Sequence, residues 1–378
     1  MWCAMLIAAI LLFLYPFLLY PALLLAASLW KPRSRAGKTN AADLPSVALV
    51  ICALNEQKII RQKVENSLAL RYPKEKLNIV VVSDGSTDAT ADIVREYGSS
   101  GIELIEQKTR RGKIANLNEI LPARGEDILV LSDANVIYHP DALTYLISRF
   151  ADASVGCVSG KVILTEASPD LGDPTERYYS LEWFLQEKAS EIYSMVGADG
   201  AMYALRRDLF RPCPNDTLIE DFVIPMAVVR QGRRVVFEPR ALGWEQGPAS
   251  LREEFRRKVR IAAGSAQALM RGNGWPRNAP AKFWFVFLSH KLLRWLSPVN
   301  GILVLLLSAL SFEQPLSRMV LAAFAAASAL ALLRSLTRWT HPILTAPFYF
   351  LLGQVALVLG LLKGIMGQQT VLWAKENR

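Results

Sequence analysis

An uncharged apolar segment near the amino terminus, Leu6–Leu29, limits what this chain can fold into more than any other feature. It is long enough to span a bilayer as a helix, and a second apolar region begins near Phe283 and continues almost to the carboxyl end. Between them, residues 43–271 have the composition of a globular domain, although 52% of the whole chain is hydrophobic. We therefore predict a large soluble domain between membrane-spanning segments.

The charges that flank the first apolar segment predict its orientation. No Lys or Arg precedes the segment, whereas Lys31, Arg33, Arg35 and Lys38 follow it. A signal peptide would instead have a basic start, a shorter apolar core and a cleavage site with small residues. By the positive-inside rule, the segment is an uncleaved helix and the globular domain lies in the cytoplasm. We expect a multi-pass protein of the inner (plasma) membrane.

Shifts in composition also predict the domain organisation. The helix 281–297 mixes aromatic and basic residues, which is typical of a helix in the membrane interface. Three later apolar runs, Val299–Phe312, Leu316–Leu333 and Ile343–Leu362, can cross or enter the bilayer, and the side of the carboxyl terminus stays open. The predicted boundaries are an amino-terminal transmembrane helix (1–30), a basic linker (31–45), the globular domain (46–271), the interfacial amphipathic helix (281–297), carboxy-terminal transmembrane helices (298–366) and a polar tail (367–378).

The net charge of +9 is concentrated beside the membrane segments. Basic clusters at 31–38, 252–260 and 282–294 suit an anionic leaflet or a diphosphate better than the groove of a nucleic acid. We therefore predict a membrane partner and no nucleic-acid partner. The four cysteines are far apart and form no CxxC pair, so the sequence supports neither a zinc site nor a disulfide framework.

Short β-branched runs alternate with helical periods through the globular domain. This alternation predicts a mostly parallel, Rossmann-like α/β sheet with helices on both faces. Helices are also expected over Pro174–Met195, Glu220–Gln231 and Leu251–Met270. The predicted strands are Val47–Cys52, Ile79–Ser83, Ile102–Glu106, Ile128–Ser132 and Val155–Val162.

Polar side chains follow three of these strands at the point where each strand ends. Asn55 and Glu56 come after the first strand, Asp84 after the second, and Asp133 after the strand 128–132. Each residue alone is a common turn or helix-cap residue. Together, at the carboxyl edge of a parallel sheet, they predict a ligand cleft in which an acid holds a divalent cation or a polar substrate group.

The chain has no GxGxxG after its first strand and no GxxxxGK[ST], so it lacks a dinucleotide fingerprint and a P-loop. Phosphates would then be neutralised by a cation on Asp133 and by basic side chains, among which Arg257 and Arg260 share one helical face. Glu220 and Asp221 begin a helix, where paired acids favour the helix dipole. As a functional group, a carboxylate opposite the cation can act as a general base.

Several motifs, in this order, resemble those of one known family. They are Leu54-Asn55-Glu56, Ser83-Asp84-Gly85-Ser86, Gly112-Lys113 with Asn116 and Asn118, Ser132-Asp133-Ala134-Asn135, Gly197–Gly200 and Ile219-Glu220-Asp221. On these residues the region from Val47 to Met270 resembles the membrane-bound family 2 glycosyltransferases, which are inverting enzymes. The resemblance implies a cytoplasmic α/β domain of the GT-A fold, flanked by transmembrane α-helices.

The resemblance also implies a role for each matching position. Asp133 and Asn135 stand where the family has its DxD metal motif, which implies Mg²⁺ or Mn²⁺ bridging the donor diphosphate. Asp221 stands at the position of the catalytic base, and Glu220 is expected to orient it or to cap its helix. The other implied positions are Glu56, Asp84, Lys113 and Asp133 for the donor nucleotide, and Gly200, Glu220, Arg257 and Arg260 for the diphosphate or acceptor.

The sequence departs from the family pattern at two places. Asn135 replaces an aspartate of the metal motif, so it can offer an amide oxygen to a hard cation but no charge. The QxxRW motif of the processive members corresponds here to Arg257-Lys258-Val259-Arg260-Ile261, which keeps the arginine and lacks the glutamine and the tryptophan. A growing-chain polymerase is therefore a weaker expectation than a single transfer.

The expected function is transfer of one sugar, with inversion, from a nucleotide-diphosphate sugar to a membrane-associated acceptor. A UDP-sugar is the expected donor, a lipid-linked glycan or an envelope polysaccharide is the expected acceptor, and other polysaccharide-biosynthesis proteins are candidate partners. The alternatives are a processive polysaccharide synthase and, in another class, a catalytically silent scaffold of a polysaccharide-export complex. A nucleotidyltransferase would need a glycine-rich phosphate loop, which 53–57 does not provide.

Overall fold

The computed structural model describes residues 2–29, 44–165, 172–337 and 339–370. Most of the predicted basic linker, with its four cationic residues, lies outside the described residues, as do the last eight residues of the predicted polar tail.

A single eight-stranded sheet forms the centre of the globular domain among the described residues. Its strand order is β3-β2-β1-β4-β7-β6-β8-β5. The pairs β2–β3, β1–β2, β1–β4 and β6–β8 are parallel, and the pairs β4–β7, β6–β7 and β5–β8 are antiparallel. The strands are β1 (Val47–Ala53), β2 (Leu77–Asp84), β3 (Ile102–Gln107), β4 (Ile128–Asp133), β5 (Val136–Tyr138), β6 (Val155–Thr165), β7 (Met202–Arg206) and β8 (Arg234–Gln246).

Helices cover both faces of the sheet and extend from it at both ends of the chain. The helices before the carboxy-terminal apolar region are α1 (Trp2–Leu14), α2 (Tyr20–Leu29), α3 (Ile60–Leu68), α4 (Thr90–Arg95), α5 (Lys113–Ile120), α6 (Ala142–Ser148), α7 (Gly172–Ile192), α8 (Glu220–Arg230) and α9 (Leu251–Met270). The remaining helices are α10 (Ala281–Val286), α11 (Leu293–Trp295), α12 (Ser297–Leu310), α13 (Pro315–Thr337) and α14 (Pro342–Ile365).

Strand β1 explains why the predicted strands are nearly continuous apolar runs. Val47, Leu49 and Ile51 pack on one side of the sheet with α3 and α6, whereas Ala48 and Val50 pack on the other side with α5 and α8. Successive side chains of a strand point to opposite faces, so a strand covered on both sides needs apolar residues at every position. All five are essentially inaccessible to solvent. The predicted mostly parallel α/β fold is confirmed.

The register of the strands places the predicted polar residues at one edge of the sheet. Cys52 pairs with Asp133, and Ala53 pairs with Ser83, so β1, β2 and β4 end at the same level. The antiparallel strand β7 begins there too, because Met202 pairs with Ser132. The loops after three strands and the loop before a fourth therefore converge on this edge.

Three helices of the described part of the chain are long and apolar enough to cross a membrane. They are Trp2–Leu29, in which a π-helical turn at Tyr15–Leu19 joins α1 to α2, together with α13 and α14. The segments Ala281–Trp295 and Ser297–Leu310 qualify as a fourth only as a pair, and they meet at an angle of 63°. The predicted run Val299–Phe312 is therefore too short by itself, since α12 has 14 residues.

Helix α14 packs backbone to backbone against α9. A Cβ added at Gly360 would overlap the Val259 carbonyl oxygen and the Ala262 methyl, and one at Gly364 would overlap the backbone at Ala263. Glycine is therefore required for the close approach of the two helices. Through these glycines, α14 is in direct backbone contact with α9, the helix that carries Arg257 and Arg260.

We predict that Gly360→Ala lowers the free energy of unfolding by about 1–3 kcal/mol, the usual cost of an overpacked contact. The thermal unfolding midpoint of the full chain in detergent measures this. Gly353→Ala on the same helix is the matched control, because a Cβ there meets nothing within 4 Å. Equal midpoints for both variants would contradict the close packing of α14 on α9.

Candidate functional site

The amine of Lys113 joins three parts of the sheet edge. Lys113 is the first residue of α5, and its Nζ lies 2.7 Å from Asp133 Oδ1 at the end of β4. The same Nζ lies 2.7 Å from Glu220 Oε1 at the start of α8, and it donates to the Gly200 carbonyl oxygen at 3.3 Å. Four of the residues that the sequence predicts for the site therefore meet at one ammonium group.

Opposite charges set the ionisation of this cluster. Burial opposes the charge on Lys113, but Asp133 and Glu220 raise the pKa of Lys113 well above the ordinary lysine value. Burial likewise opposes the charge on Glu220, whereas Lys113 lowers the pKa of Glu220 below its usual value. At neutral pH the ammonium of Lys113 and the carboxylate of Glu220 therefore form a true ion pair.

Asp221 lies beside Glu220 and directly against Gly200. A Cβ built at Gly200 would be 3.1 Å from Asp221 Oδ2, so the missing side chain makes room for the carboxylate. The Asp221 carbonyl oxygen accepts a hydrogen bond from Ala198 N at 2.8 Å. Burial, and then the negative charge of Glu220, raise the pKa of Asp221 to about 6. Such a carboxylate is ionised at neutral pH and basic enough to accept a proton.

Asp84 organises the loop that leads into Lys113. Its side chain is buried, with Oδ1 accepting from Arg111 N at 2.7 Å and from Asn116 Nδ2 at 2.8 Å, while Oδ2 accepts from Gly112 N at 2.8 Å. The next residue, Gly85, has a φ of 68°. Both carboxylate oxygens of Asp84 are thus used within the protein, and the predicted contact of Asp84 with a nucleotide stays a prediction.

Glu56 lies in the loop after β1, next to the loop that follows β2. Asn55, the residue before it, has a left-handed backbone with a φ of 55°. Asn55 Oδ1 accepts from Thr87 N at 2.7 Å, and Glu56 N donates to Thr90 Oγ1 at 2.7 Å. These hydrogen bonds join the loop after β1 to the loop after β2 at the edge of the sheet. The role of Glu56 in binding a nucleotide also stays a prediction.

The oxygen atoms at the end of β4 fit a divalent cation that arrives with phosphates. Asp133 is partly exposed at the edge, and Asn135 Nδ2 donates to Glu245 Oε1 at 2.9 Å, which leaves the amide oxygen of Asn135 as the group that can meet a cation. Among the described residues, no three His, Cys, Asp or Glu side chains form a metal-binding group. Mg²⁺ commonly binds through one or two protein oxygens together with substrate phosphates, so this small donor set is sufficient.

The two arginines predicted for one face of α9 have different surroundings. Burial lowers the pKa of Arg260, and the nearby charge of Glu220 acts in the opposite direction. Arg257 instead forms a two-point ion pair with Glu254, with distances of 2.9 Å (Nε–Oε2) and 3.1 Å (Nη2–Oε1), and donates to Tyr179 Oη on α7. Arg260 is therefore the arginine close to the site carboxylates, and Arg257 ties α9 to α7.

Three charged residues of the site were not singled out by the sequence. Burial raises the pKa of Asp199 to about 7, and the charge of Glu245 acts in the same direction. The small-residue stretch Gly197–Ala201 holds Asp199 and was its only signal. Glu245 lies on β8, a strand that the sequence did not predict. Lys63 is fully buried in α3, on the same helical face as Ile60 and Val64, where periodicity alone predicts an apolar residue.

A comparison of the sequence with models of protein families identifies the family of this chain. Residues 45–264, more than half of the chain, match the family described as glycosyltransferase like family 2. The chain belongs to this family. The resemblance stated from the motifs is thereby confirmed, whereas the roles of individual residues in this family 2 chain stay predictions.

Two bacterial relatives are similar to this family 2 chain. The probable glycosyltransferase YdaM of Bacillus subtilis is 28% identical over 248 residues, which cover 62% of this chain and 58% of YdaM. The poly-beta-1,6-N-acetyl-D-glucosamine synthase of Staphylococcus aureus (strain COL) is 26% identical over 238 residues, which cover 61% of this chain and 57% of the synthase. The matched region thus spans less than two thirds of either relative.

A solved structure shares the fold of this family 2 glycosyltransferase over nearly its whole length. The mannosyltransferase PcManGT from Pyrobaculum calidifontis, in complex with GDP-Man and Mn²⁺, superposes with a TM-score of 0.76, covering 98% of this chain and 100% of its own. The two sequences are 23% identical, so the likeness concerns the fold alone. The predicted GT-A fold, flanked by apolar helices, is confirmed.

We predict that Asp84→Asn lowers the free energy of unfolding by about 1–3 kcal/mol, because an amide NH₂ would face backbone donors and leave them unsatisfied. Asp92→Asn is the matched control, since Asp92 is exposed on α4, and we expect a change within about 0.5 kcal/mol. Thermal unfolding in detergent measures both variants. An Asp84→Asn protein as stable as Asp92→Asn would show that the three bonds do not hold the loop.

Proposed function

We propose that this family 2 chain is an inverting glycosyltransferase that moves one sugar from a nucleotide-diphosphate sugar to an acceptor at the membrane. The expected donor is a UDP-sugar, and the expected acceptor is a lipid-linked glycan or an envelope polysaccharide. The observation that carries the proposal is the position of Lys113 Nζ at 2.7 Å from both Asp133 and Glu220. The Lys113 amine joins the acid at the end of β4 to the first residue of α8, and the proposed base Asp221 is the second residue of that helix.

The proposed base is Asp221. Its carboxylate would take the proton of the acceptor hydroxyl, whose oxygen attacks the anomeric carbon from the face opposite the leaving diphosphate, so the configuration inverts. A pKa of about 6 suits this step, because the group is ionised near pH 7 without being a weak base. Gly200 leaves open the space beside Asp221 Oδ2.

The donor side would be formed by Asp133, Asn135 and the cations around them. Mg²⁺ or Mn²⁺ held by the oxygens of Asp133 and Asn135 would neutralise charge on the departing diphosphate. Arg260 lies near the same carboxylates and is the side chain best placed to meet a phosphate. Lys113 would keep Asp133 in place at the sheet edge.

The proposed acceptor side lies next to the membrane-associated helices. Phe222, which follows Asp221 in α8, contacts the ring of Trp295 in α11 at a centroid distance of 5.5 Å. Trp295 belongs to the aromatic and basic segment predicted for the membrane interface. This contact supports an acceptor that reaches the base from the bilayer. The basic residues that follow the first apolar segment support a catalytic domain on the cytoplasmic side of the inner membrane.

A processive polysaccharide synthase is the second candidate. Its support is the similarity to a poly-beta-1,6-N-acetyl-D-glucosamine synthase, and against it stands the altered motif at Arg257–Ile261. The length of the product distinguishes the two: single additions support the leading proposal, and long polymer from the purified chain would replace it with this one.

We predict that Asp221→Asn reduces sugar transfer by about 100-fold or more while donor binding persists, because only the proton acceptor is lost. Asp133→Ala should instead weaken donor binding in Mn²⁺ or Mg²⁺. Transfer is measured in membranes with a panel of UDP- and GDP-sugars. Asp208→Asn, an exposed aspartate after β7, is the matched control.

Two outcomes of this experiment would overturn parts of the proposal. Full transfer by Asp221→Asn would refute the assignment of the base. A wild-type protein that turns over no nucleotide sugar from the panel would favour the catalytically silent scaffold.

We predict that the transfer rate at low donor concentration falls on the acid side with an apparent pKa of about 6, because Asp221 acts only when ionised. Well below that pH the rate should drop about tenfold for each pH unit. Glu220→Gln removes a charge that raises the pKa of Asp221, so the acid limb should move to lower pH. A limb near pH 4 in the wild type, or one that does not move in Glu220→Gln, would contradict the assignment.

A further inference from the structure

Lys63 is buried beneath the turn that carries Asp133 and Asn135. It belongs to α3 and has no exposed surface. Its Nζ donates to Ser132 Oγ at 2.8 Å and to the Val136 carbonyl oxygen at 2.6 Å, and it lies 4.0 Å from the centre of the Tyr138 ring. The two oxygens accept hydrogen bonds from the amine, and the face of the Tyr138 ring lies against it.

A fully buried lysine is costly unless its amine has compensating partners. Here the partners are Ser132 and Val136, which flank the stretch 133–135 on both sides. Ser132 Oγ in turn donates to the Asp133 carbonyl oxygen at 3.0 Å. The lysine therefore connects the two ends of the turn on its buried side, while the side chain of Asp133 is partly exposed on the other side.

The same helix holds the strand that follows the turn. Asn66, three residues after Lys63, donates through Nδ2 to the Tyr138 carbonyl oxygen at 2.8 Å, and its Oδ1 accepts from Tyr138 N at 2.8 Å. Lys63 and Asn66 thus fix both ends of the segment 132–138 to α3. On the other side of the turn, Asn135 donates to Glu245 on β8, so α3 and β8 together hold 133–135.

We propose that Lys63 is a positioning residue that sets the geometry of Asp133 and Asn135 and thereby the affinity of the site for a divalent cation. This inference rests on the proposed function, in which these two residues bind the cation of the donor diphosphate. Lys63 touches neither the cation nor the donor. Residues that orient metal ligands in this way commonly change metal affinity by about 10- to 100-fold when they are replaced.

The test measures the binding of Mn²⁺ to the full chain in detergent. Electron paramagnetic resonance reports the bound and free Mn²⁺, with and without UDP. Lys63→Met keeps the length of the side chain and removes the donors, and we expect the Kd for Mn²⁺ to rise by about 10- to 100-fold. In transfer assays the apparent KM for Mn²⁺ should rise by more than kcat falls. Lys58→Met, an exposed lysine before α3, is the matched control and should bind Mn²⁺ like the wild type.

A folded Lys63→Met protein with a wild-type Kd for Mn²⁺ and a lower unfolding midpoint would overturn the inference, because it would show a purely structural lysine. If Lys63→Met does not fold, Ser132→Ala decides, since it removes one of the two oxygen partners: weaker Mn²⁺ binding supports the inference and unchanged binding overturns it. A wild-type chain that binds no Mn²⁺ with or without UDP would refute the proposed function as well as this inference.

Discussion

The ion pairs of Lys113 with Asp133 and Glu220 are the interaction on which the rest of the site depends. They connect the end of a central strand to the first turn of α8, two places far apart in the sequence. A buried carboxylate without such a partner would be strongly unfavourable. Because Lys113 keeps Glu220 ionised, the charge of Glu220 can raise the pKa of Asp221 beside it. One ammonium group thus governs the position of one acid and the basicity of another.

Much of the fold follows from the sequence because its strands are buried on both sides. Residues 47–52 and 128–131 are apolar at every position, and that pattern with polar residues at its end is sufficient to predict parallel strands that share an edge. This pattern predicts Asp133 at one edge with Glu56 and Asp84, whereas only the resemblance to the family implied that Lys113, Gly200 and Glu220 belong to the same site. The two roles that the structure gives to Asp84 and Arg257, holding a loop and tying two helices, have no signature in the spacing of motifs.

The features that the sequence did not reveal depend on contacts between distant elements. Strand β8 contains Pro239 and several charged residues, so its pattern does not alternate, and it forms because β6 and β5 pair with it on its two sides. The hydrogen bond from Asn135 to Glu245 exists only through that pairing. Lys63 lies on the buried face of α3 beside Ile60 and Val64, but the oxygens that its amine meets belong to the turn 132–136, which the spacing within α3 does not reveal.

The glycine contact between α14 and α9 links the position of a membrane helix to the globular domain. A membrane helix responds to a change in hydrocarbon thickness by tilting, and at Gly360 the Ala262 methyl and the Val259 carbonyl oxygen of α9 face the helix. We therefore expect a tilt of α14 to move α9, the helix that carries Arg260, close to Glu220 and Asp221. The thickness of the surrounding bilayer thus belongs to the conditions that we expect to set the geometry of the proposed site.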